Sequence, residues 1–417
     1  MKTYLCIDLK TFFASVECVV RGWNPFEVNL VVADPSRGKG AICLAISPRL
    51  KELGIRNRCR LFEIPDSIEY YTAIPRMKLY MEYSAKIYEI YLKYISKDDI
   101  HVYSIDEAFL DVTSYLKLYQ VSAKQLAQMI IDDIMQSTGI TATVGIGTNM
   151  YLTKIALDIS AKHNKSHMAY LDEEGYKRTL WHHTPLTDFW QIGRGISNRL
   201  AKYGVYDMCG IAHMNEEVLY KEFGINARFL IDHAWGKEPT TIADIKAYKP
   251  KSNSLSNHQI LFSDYKYEDA FLVVKEMVEV SVLDLVDRHL VSDHIALSIG
   301  YSKDVRKATG GSRKITTRTN SYRILVQEFI DLFYKTTDPR YPIRQIGISF
   351  GNIVDEMYES FDLFSDYEAL EEERRLQQAI VGIKHKYGKN SILKGMNMLD
   401  KATTTTRNRL VGGHNAE

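Results

Sequence analysis

Three carboxylates stand out for the chemistry they could share. Asp8 ends the apolar run TYLCID (3–8), and Asp106 and Glu107 are adjacent within YSIDEAFLD (103–111). A cluster of acids without Cys or His is hard-oxygen coordination. It suits Mg2+ that keeps several waters and shares ligands with substrate phosphates. Two such ions, about 3.5–4 Å apart, activate an attacking hydroxyl and stabilise a leaving pyrophosphate. A lone Asp at a strand end usually does no more than meet solvent. The combination of I-D…F-F-A-S-V-E with Y-S-I-D-E-A-F-L-D is what singles these three out.

The elements around them must bring distant residues together. Residues 3–8 read as a short buried strand, and 100–113 as strand, turn and strand. Neighbouring side chains on a strand point to opposite faces, so Asp106 and Glu107 share a site only if a turn or bulge breaks the alternation. Residues 11–21 read as a helix capped by Thr11. Strands are expected at 29–34 and 41–46. A short helix follows at 47–54, with Ser47 as its cap, Pro48 in its first turn and Gly54 as its stop. The aromatic stripe of a long helix at 76–97 predicts core packing. A helix at 124–137, a strand at 141–147 and a helix at 150–161 complete an α/β layer.

Beyond residue 172 the pattern becomes short helical pieces punctuated by glycine, up to residue 237. A polar stretch, 247–257, reads as a linker. Mixed α/β pattern returns at 258–352, with helices at 267–287 and 321–335 and strands at 293–301, 312–319 and 343–350. An acidic stretch, a helix at 367–386 and a Thr-, Asn- and Gly-rich tail follow. The composition of the tail predicts mobility.

With 417 residues, two to four domains are expected. Lys and Arg number 53 against 52 Asp and Glu, for a net charge of +1, so any nucleic-acid partner must be met by local charge. The five cysteines are scattered with no C-x-x-C pair, which suits reduced thiols in a cytoplasmic protein. Asp8 interrupts the N-terminus before a signal-peptide apolar run can form, and no stretch approaches the length needed to span a bilayer.

IDLKTFFASVE (7–17) and YSIDEAFLD (103–111) resemble the two catalytic motifs of Y-family translesion DNA polymerases, the DinB/UmuC group. TVGIGTNMYLTKIALDISAK (143–162) resembles the segment that follows in that family. SPRLKELGI (47–55) and the tail KYGKNSIL…TRNRLVGGH (386–414) are similar to its UmuC-like, UvrX-type branch in Gram-positive bacteria. The resemblance implies an α+β multidomain fold shaped as a right hand. A palm would span 1–24 and 75–165, small fingers 25–74, and a helical thumb with a helix–hairpin–helix 166–240. A linker would occupy 241–252, an α/β little finger 253–352 and a C-terminal tail 353–417. It also implies nucleotidyl transfer from a dNTP to a primer 3′-OH on a DNA template, in DNA repair and the SOS response.

Residue by residue, the resemblance makes Asp8, Asp106, Glu107 and the Leu9 carbonyl the ligands of two Mg2+ ions. It places Phe13 beneath the incoming sugar, as a steric gate against ribose. Lys51 and Lys162 fall where the family binds the triphosphate, with Arg49 beside Lys51. Gly193 and Gly195, in WQIGRGISNRLAKYGV (190–205), would let the backbone approach a DNA phosphate. Lys303, Arg306, Lys307, Arg313, Lys314 and Arg318 lie on a predicted Thr- and Ser-rich hairpin, which is expected to grip the DNA backbone without regard to sequence. ESFDLF (359–364) resembles a sliding-clamp-binding peptide, with Phe361, Leu363 and Phe364 as its apolar anchors. A need for UmuD-like or recombinase accessory proteins stays open. The competing expectations are a two-metal cyclase on a related palm and an inactive, polymerase-like DNA-binding repair factor.

Overall fold

Strand β1 (Tyr4–Leu9) is apolar at almost every position because it runs through the middle of a sheet covered on both faces. After it come helix α1 (Phe12–Val20), strands β2 (Leu30–Val32) and β3 (Ala45–Ile46), helix α2 (Pro48–Glu52), strand β4 (Tyr71–Ala73) and helix α3 (Met77–Tyr94). Strands β5 (Ile100–Val102) and β6 (Glu107–Asp111), helices α4 (Thr113–Tyr119) and α5 (Ala123–Thr138), strand β7 (Ala142–Gly147), helix α6 (Met150–Ile155) and strand β8 (Met168–Leu171) follow. The computed structural model describes residues 2–251, 253–303, 305–361 and 366–417. These divide into two units, one reaching Tyr248 and the other starting at Lys249.

In the first unit the main sheet has the order β5-β6-β1-β7-β8, with β1 antiparallel to both neighbours. Leu5, Ile7 and Leu9 point to one face and join Ile87, Ile90 and Tyr91 of α3 and Leu126, Ile130 and Ile134 of α5. Tyr4 and Cys6 point to the other face and pack with Phe109, Met150 and Leu157. Tyr80 and Tyr91, from the aromatic stripe of α3, are buried, as core packing predicts. A smaller sheet, β3-β2-β4, includes the parallel strand β4, which the sequence did not announce. Ser47 caps α2 as expected and accepts from the Leu50 amide at 3.4 Å.

Thr11 does not cap α1 with its side chain. It is left-handed at φ 48°, and its hydroxyl lies 3.0 Å from Ser15 Oγ. The chain must reverse within two residues after β1, and that geometry removes the cap.

Glu17 of α1 is a fully buried carboxylate. It accepts from Arg76 Nε at 3.0 Å and Nη2 at 2.7 Å and from the Tyr80 hydroxyl at 2.7 Å, and it pairs with Arg21. Burial alone would raise its carboxyl; hydrogen bonds from Arg76, Arg21 and Tyr80 hold it below its ordinary value of 4.5. Its stabilising contribution is therefore present above that value and is lost as pH falls through the lower value of the folded state. Glu17→Gln should destabilise the protein by about 3 kcal/mol, the lower end for a broken buried pair, because both guanidiniums keep some solvent. Urea melts at several pH values should show this, with a flatter acid limb in the variant.

The unit continues through short helices α7 (Glu173–Leu180), α8 (Arg194–Ala201), α9 (Met208–His213), α10 (Glu216–Phe223) and α11 (Ala227–Ala234), which share a core with Tyr151, Leu152 and Ile155 of α6. The linker expected at 241–252 is only partly one. Residues Ile242–Ala247 form helix α12, and its Ile242 is buried beside Tyr4, Cys6 and Phe109.

The second unit carries the sheet β11-β10-β12-β9, formed by β9 (Leu255–Tyr265), β10 (Leu290–Tyr301), β11 (Thr309–Thr319) and β12 (Ile343–Gly351). Helices α13 (Tyr267–Asp287) and α14 (Tyr322–Thr336) cover one face, over Ile295, Leu297, Ile299, Ile346 and Ile348. Helix α15 (Tyr367–Tyr387) packs on α13.

The tail after α15 is not a loose end. Glu276, a fully buried acid of α13, accepts from the Asn397 side chain at 3.0 Å, the Thr403 amide at 2.7 Å and hydroxyl at 3.1 Å, and the Thr404 amide at 3.3 Å. The polar residues that suggested mobility satisfy a buried carboxylate instead. Among the described residues no helix is long and apolar enough to cross a membrane.

Candidate active site

Asp8 and Glu107 stand directly opposite each other in the β1–β6 ladder. They share the face occupied by Cys6 and Phe109, so these two carboxylates lie side by side. Asp106 precedes β6 in a turn, where strict alternation does not apply. Its carbonyl accepts from the Leu9 amide at 2.9 Å, joining the turn to the end of β1. Ser104 Oγ donates to Asp106 Oδ1 at 2.6 Å and fixes that side chain. Burial pushes the Asp8 carboxyl up; Lys162 pulls against this, and Glu107 and Asp106 add to the rise.

Cations close the site. Lys162 Nζ lies 2.9 Å from Asp8 Oδ2 and 2.9 Å from Asp158 Oδ1. Burial alone would lower the Lys162 ammonium, but Asp8 and Asp158 outweigh it and hold it above its usual range. Lys154, almost wholly buried, donates to Glu107 Oε2 at 2.7 Å, lies 2.6 Å from Glu107 Oε1 and reaches Asp158 Oδ2 at 3.0 Å. Cys6 Sγ donates to Glu107 Oε1 at 3.1 Å. Burial first, then Glu107, pushes this thiol well above its usual range, so it stays protonated.

Lys51 is held below its usual range by desolvation, with Asp8 opposing and Lys162 and Lys10 adding repulsion. Lys51 therefore lies within electrostatic reach of Asp8, Lys162 and Lys10. Arg49 instead pairs with Glu52 on the surface at 3.3 Å.

The donor set is all oxygen, which fits Mg2+ in kind. It is not closed around a point: among the described residues no three His, Cys, Asp or Glu side chains are gathered closely enough to hold a metal. Lys162 on Asp8 and Lys154 on Glu107 take the positions of counter-cations.

Two glycines make this arrangement possible. A Cβ on Gly145 would lie 2.1 Å from the Thr153 carbonyl oxygen, and one on Gly147 would lie 2.6 Å from the Thr153 amide. Helix α6 can therefore lie directly on β7, bringing Lys154 and Asp158 to the carboxylates. Ser104 lies inside YSIDEAFLD (103–111), and Lys154 and Asp158 lie inside TVGIGTNMYLTKIALDISAK (143–162), but nothing in their types alone marks them.

Phe12 and Phe13 have different settings. Phe12 is a core residue, whereas Phe13 is half-buried and stacked on Tyr80 with centroids 4.6 Å apart and planes at 20°. The Tyr80 hydroxyl is tied to Glu17. Gly193 caps the start of α8 without a side-chain hydrogen bond, and a Cβ at Gly193 or Gly195 would meet nothing within 4 Å. The adjoining Gln191 takes φ 69°, a left-handed conformation that favours glycine.

The predicted basic hairpin divides in two. Arg306 pairs with Asp338, Arg313 with Glu328, and Arg318 lies 2.8 Å from Asp293. Arg313 points toward α14 because odd positions of β11 face the helices, while Ser312 and Lys314 are exposed on the open face. Lys303 and Lys307 are exposed in the turn. Phe361 is exposed and packs edge-on against Tyr367 at 5.4 Å. Its companions Leu363 and Phe364 lie outside the described residues.

The model of the impB/mucB/samB family matches residues 7–158, and that of its C-terminal domain matches residues 252–363. The chain is 32% identical to UvrX of Bacillus subtilis (strain 168), whose name assigns it to UV-damage repair, over 99% of this chain and 97% of that one. The chain belongs to the impB/mucB/samB family. Another family relative, DNA polymerase IV 2 of Bacillus subtilis (strain 168), is 28% identical over 99% of this chain and 98% of its own. The solved Y-family DNA polymerase chimera Dbh-Dpo4(243-245)-Dbh has the same fold, with a TM-score of 0.64 at 20% identity over 85% of this chain and 99% of its own. The family architecture of palm, fingers, thumb and little finger is therefore the fold of this protein.

Proposed function

We propose that this protein is a template-directed DNA polymerase for translesion synthesis, transferring a nucleotide from a dNTP to a primer 3′-OH. The observation that carries it is the pairing of Asp8 with Glu107 beside Asp106, with Lys162 held 2.9 Å from Asp8. In this reading the palm is 1–24 and 75–165, the fingers 25–74, the thumb 166–240 and the little finger 253–352.

Asp8, Asp106, Glu107 and the Leu9 carbonyl would hold two Mg2+ ions, which supply Lewis acidity to the primer hydroxyl and the triphosphate. Lys51 and Lys162 neutralise charge on the triphosphate and on the departing pyrophosphate. Arg49, engaged with Glu52, has the weaker claim to that role. Phe13, braced by Tyr80, sits beneath the sugar. Gly193 and Gly195 leave the uncapped start of α8 open to a DNA phosphate. Phe361, Leu363 and Phe364 would engage the bacterial sliding clamp.

Primer extension on plain and lesion-bearing templates tests the proposal. Extension past a lesion supports it, and DNA binding without extension on either template contradicts it.

The division of the hairpin sharpens the DNA contact. Among the described residues, Lys307 and Lys314 are its exposed cations without an ion pair, whereas Arg306, Arg313 and Arg318 are bound to carboxylates. Changing Lys307 and Lys314 to Gln should weaken primer–template binding. The log–log salt slope should fall by about 0.9 for each DNA phosphate left without its lysine. An unchanged slope in a salt titration would remove these two lysines from the interface.

A further inference from the structure

Asp158 belongs to none of the roles assigned above, yet it joins both halves of the site. Residues 154, 158 and 162 are spaced four apart on one continuous run: α6, a π-helical turn at Ala156–Ser160 and a 3-10 turn at Ala161–His163. Asp158 Oδ1 accepts from Lys162 at 2.9 Å and from Lys154 at 3.3 Å, and Oδ2 lies 3.0 Å from the Lys154 ammonium. Each lysine's other ion-pair partner is one of the three acids, Asp8 for Lys162 and Glu107 for Lys154. The result is a chain of alternating charge, Asp8–Lys162–Asp158–Lys154–Glu107.

Four-apart ion pairs on an exposed helix usually contribute little. This pair of pairs differs because Lys154 is almost wholly buried and because both bonds converge on one carboxylate.

We propose that Asp158 is a positioning residue that tethers Lys162 where it can pass from Asp8 to the triphosphate of an incoming dNTP. A lysine is a point charge on a flexible four-carbon stem, and it binds phosphate well only when that stem is already confined. Asp8 cannot be its permanent partner, since its oxygens are wanted for metal. Asp158 can keep its hydrogen bond while the ammonium exchanges one anionic partner for another. The same carboxylate keeps Lys154 against Glu107. The inference rests on the polymerase reading, because it takes a dNTP as the ligand.

The test is the equilibrium Kd of the matched dNTP for the full-length protein on a dideoxy-terminated primer–template with Mg2+, where no bond forms. Asp158→Asn and Lys162→Met should each weaken the dNTP by about 10-fold, as expected when one charge-assisted hydrogen bond is removed. Asp158→Glu should stay within about 3-fold of the wild type, since the carboxylate is retained. In the double variant, Asp158→Asn should add nothing to Lys162→Met, because the two act through one contact. A dNTP Kd unchanged by Asp158→Asn would overturn the proposal. So would an Asp158→Asn effect that persists in full beside Lys162→Met, since that is the mark of a merely structural carboxylate. Failure of the wild type to bind the dNTP would overturn the polymerase reading as well, which separates the two failures.

Discussion

Asp106→Ala should reduce single-turnover nucleotide incorporation by at least roughly 1,000-fold, or about 4 kcal/mol in the barrier, while primer–template affinity stays within about 2-fold. The carboxylate is held by Ser104 Oγ at 2.6 Å in a turn joined to β1 through the Leu9 amide. That turn can lose one oxygen donor without disturbing either sheet ladder, because Asp106 lies outside the paired residues of β6. Affinity for DNA depends instead on phosphate contacts that this residue does not make. Quench-flow extension gives the first quantity and a binding titration the second. Near-normal incorporation by the variant would remove Asp106 from the chemistry. Equal loss of binding and incorporation would make it a residue of the fold.

The second large effect is expected at Phe13. A deoxyribose presents only hydrogen at C2′ and can lie on a ring face. A ribose would press its hydroxyl into the ring and lose water without gaining a hydrogen-bond partner. Selectivity of this kind needs a ring that cannot yield. Phe13 is stacked on Tyr80, and the Tyr80 hydroxyl is anchored at 2.7 Å to the buried Glu17, itself held by Arg76. Phe13→Ala should raise the rNTP-to-dNTP ratio of kcat/KM on the order of 100-fold, about 2.7 kcal/mol. The comparison requires both nucleotides in wild type and variant. Equal losses for both would mean that Phe13 supports the core as Phe12 does.

Much of the main sheet was legible because its signals are local. The run TYLCID, the alternation around residues 100–113 and the glycines of TVGIG each belong to one element and its immediate packing. Helix Tyr267–Asp287 likewise follows its expected bounds. The candidate site was legible through its two acidic motifs, but not through Lys154 or Asp158. Their role depends on how closely α6 can lie on β7, a tertiary distance set by Gly145 and Gly147.

The basic hairpin misled in part for a similar reason. Composition counts Arg313 as a cation, whereas strand parity turns it toward Glu328. The tail misled because its polar residues were weighed alone. Their partner, Glu276, lies more than a hundred residues earlier, and a buried acid is not visible in composition. Parallel pairing of β4 with β2 is also non-local and left no short-range trace.

Pyrophosphate release, measured together with primer elongation, tests the central claim most directly. With a primer–template, Mg2+ and a single dNTP, one pyrophosphate should appear for each nucleotide added. Release should occur only when the dNTP matches the template base, and should stop when the primer ends in a dideoxynucleotide. Pyrophosphate release that needs no primer would assign the carboxylates to cyclase-like chemistry. DNA binding with neither elongation nor pyrophosphate release would contradict catalysis by Asp8, Asp106 and Glu107 altogether.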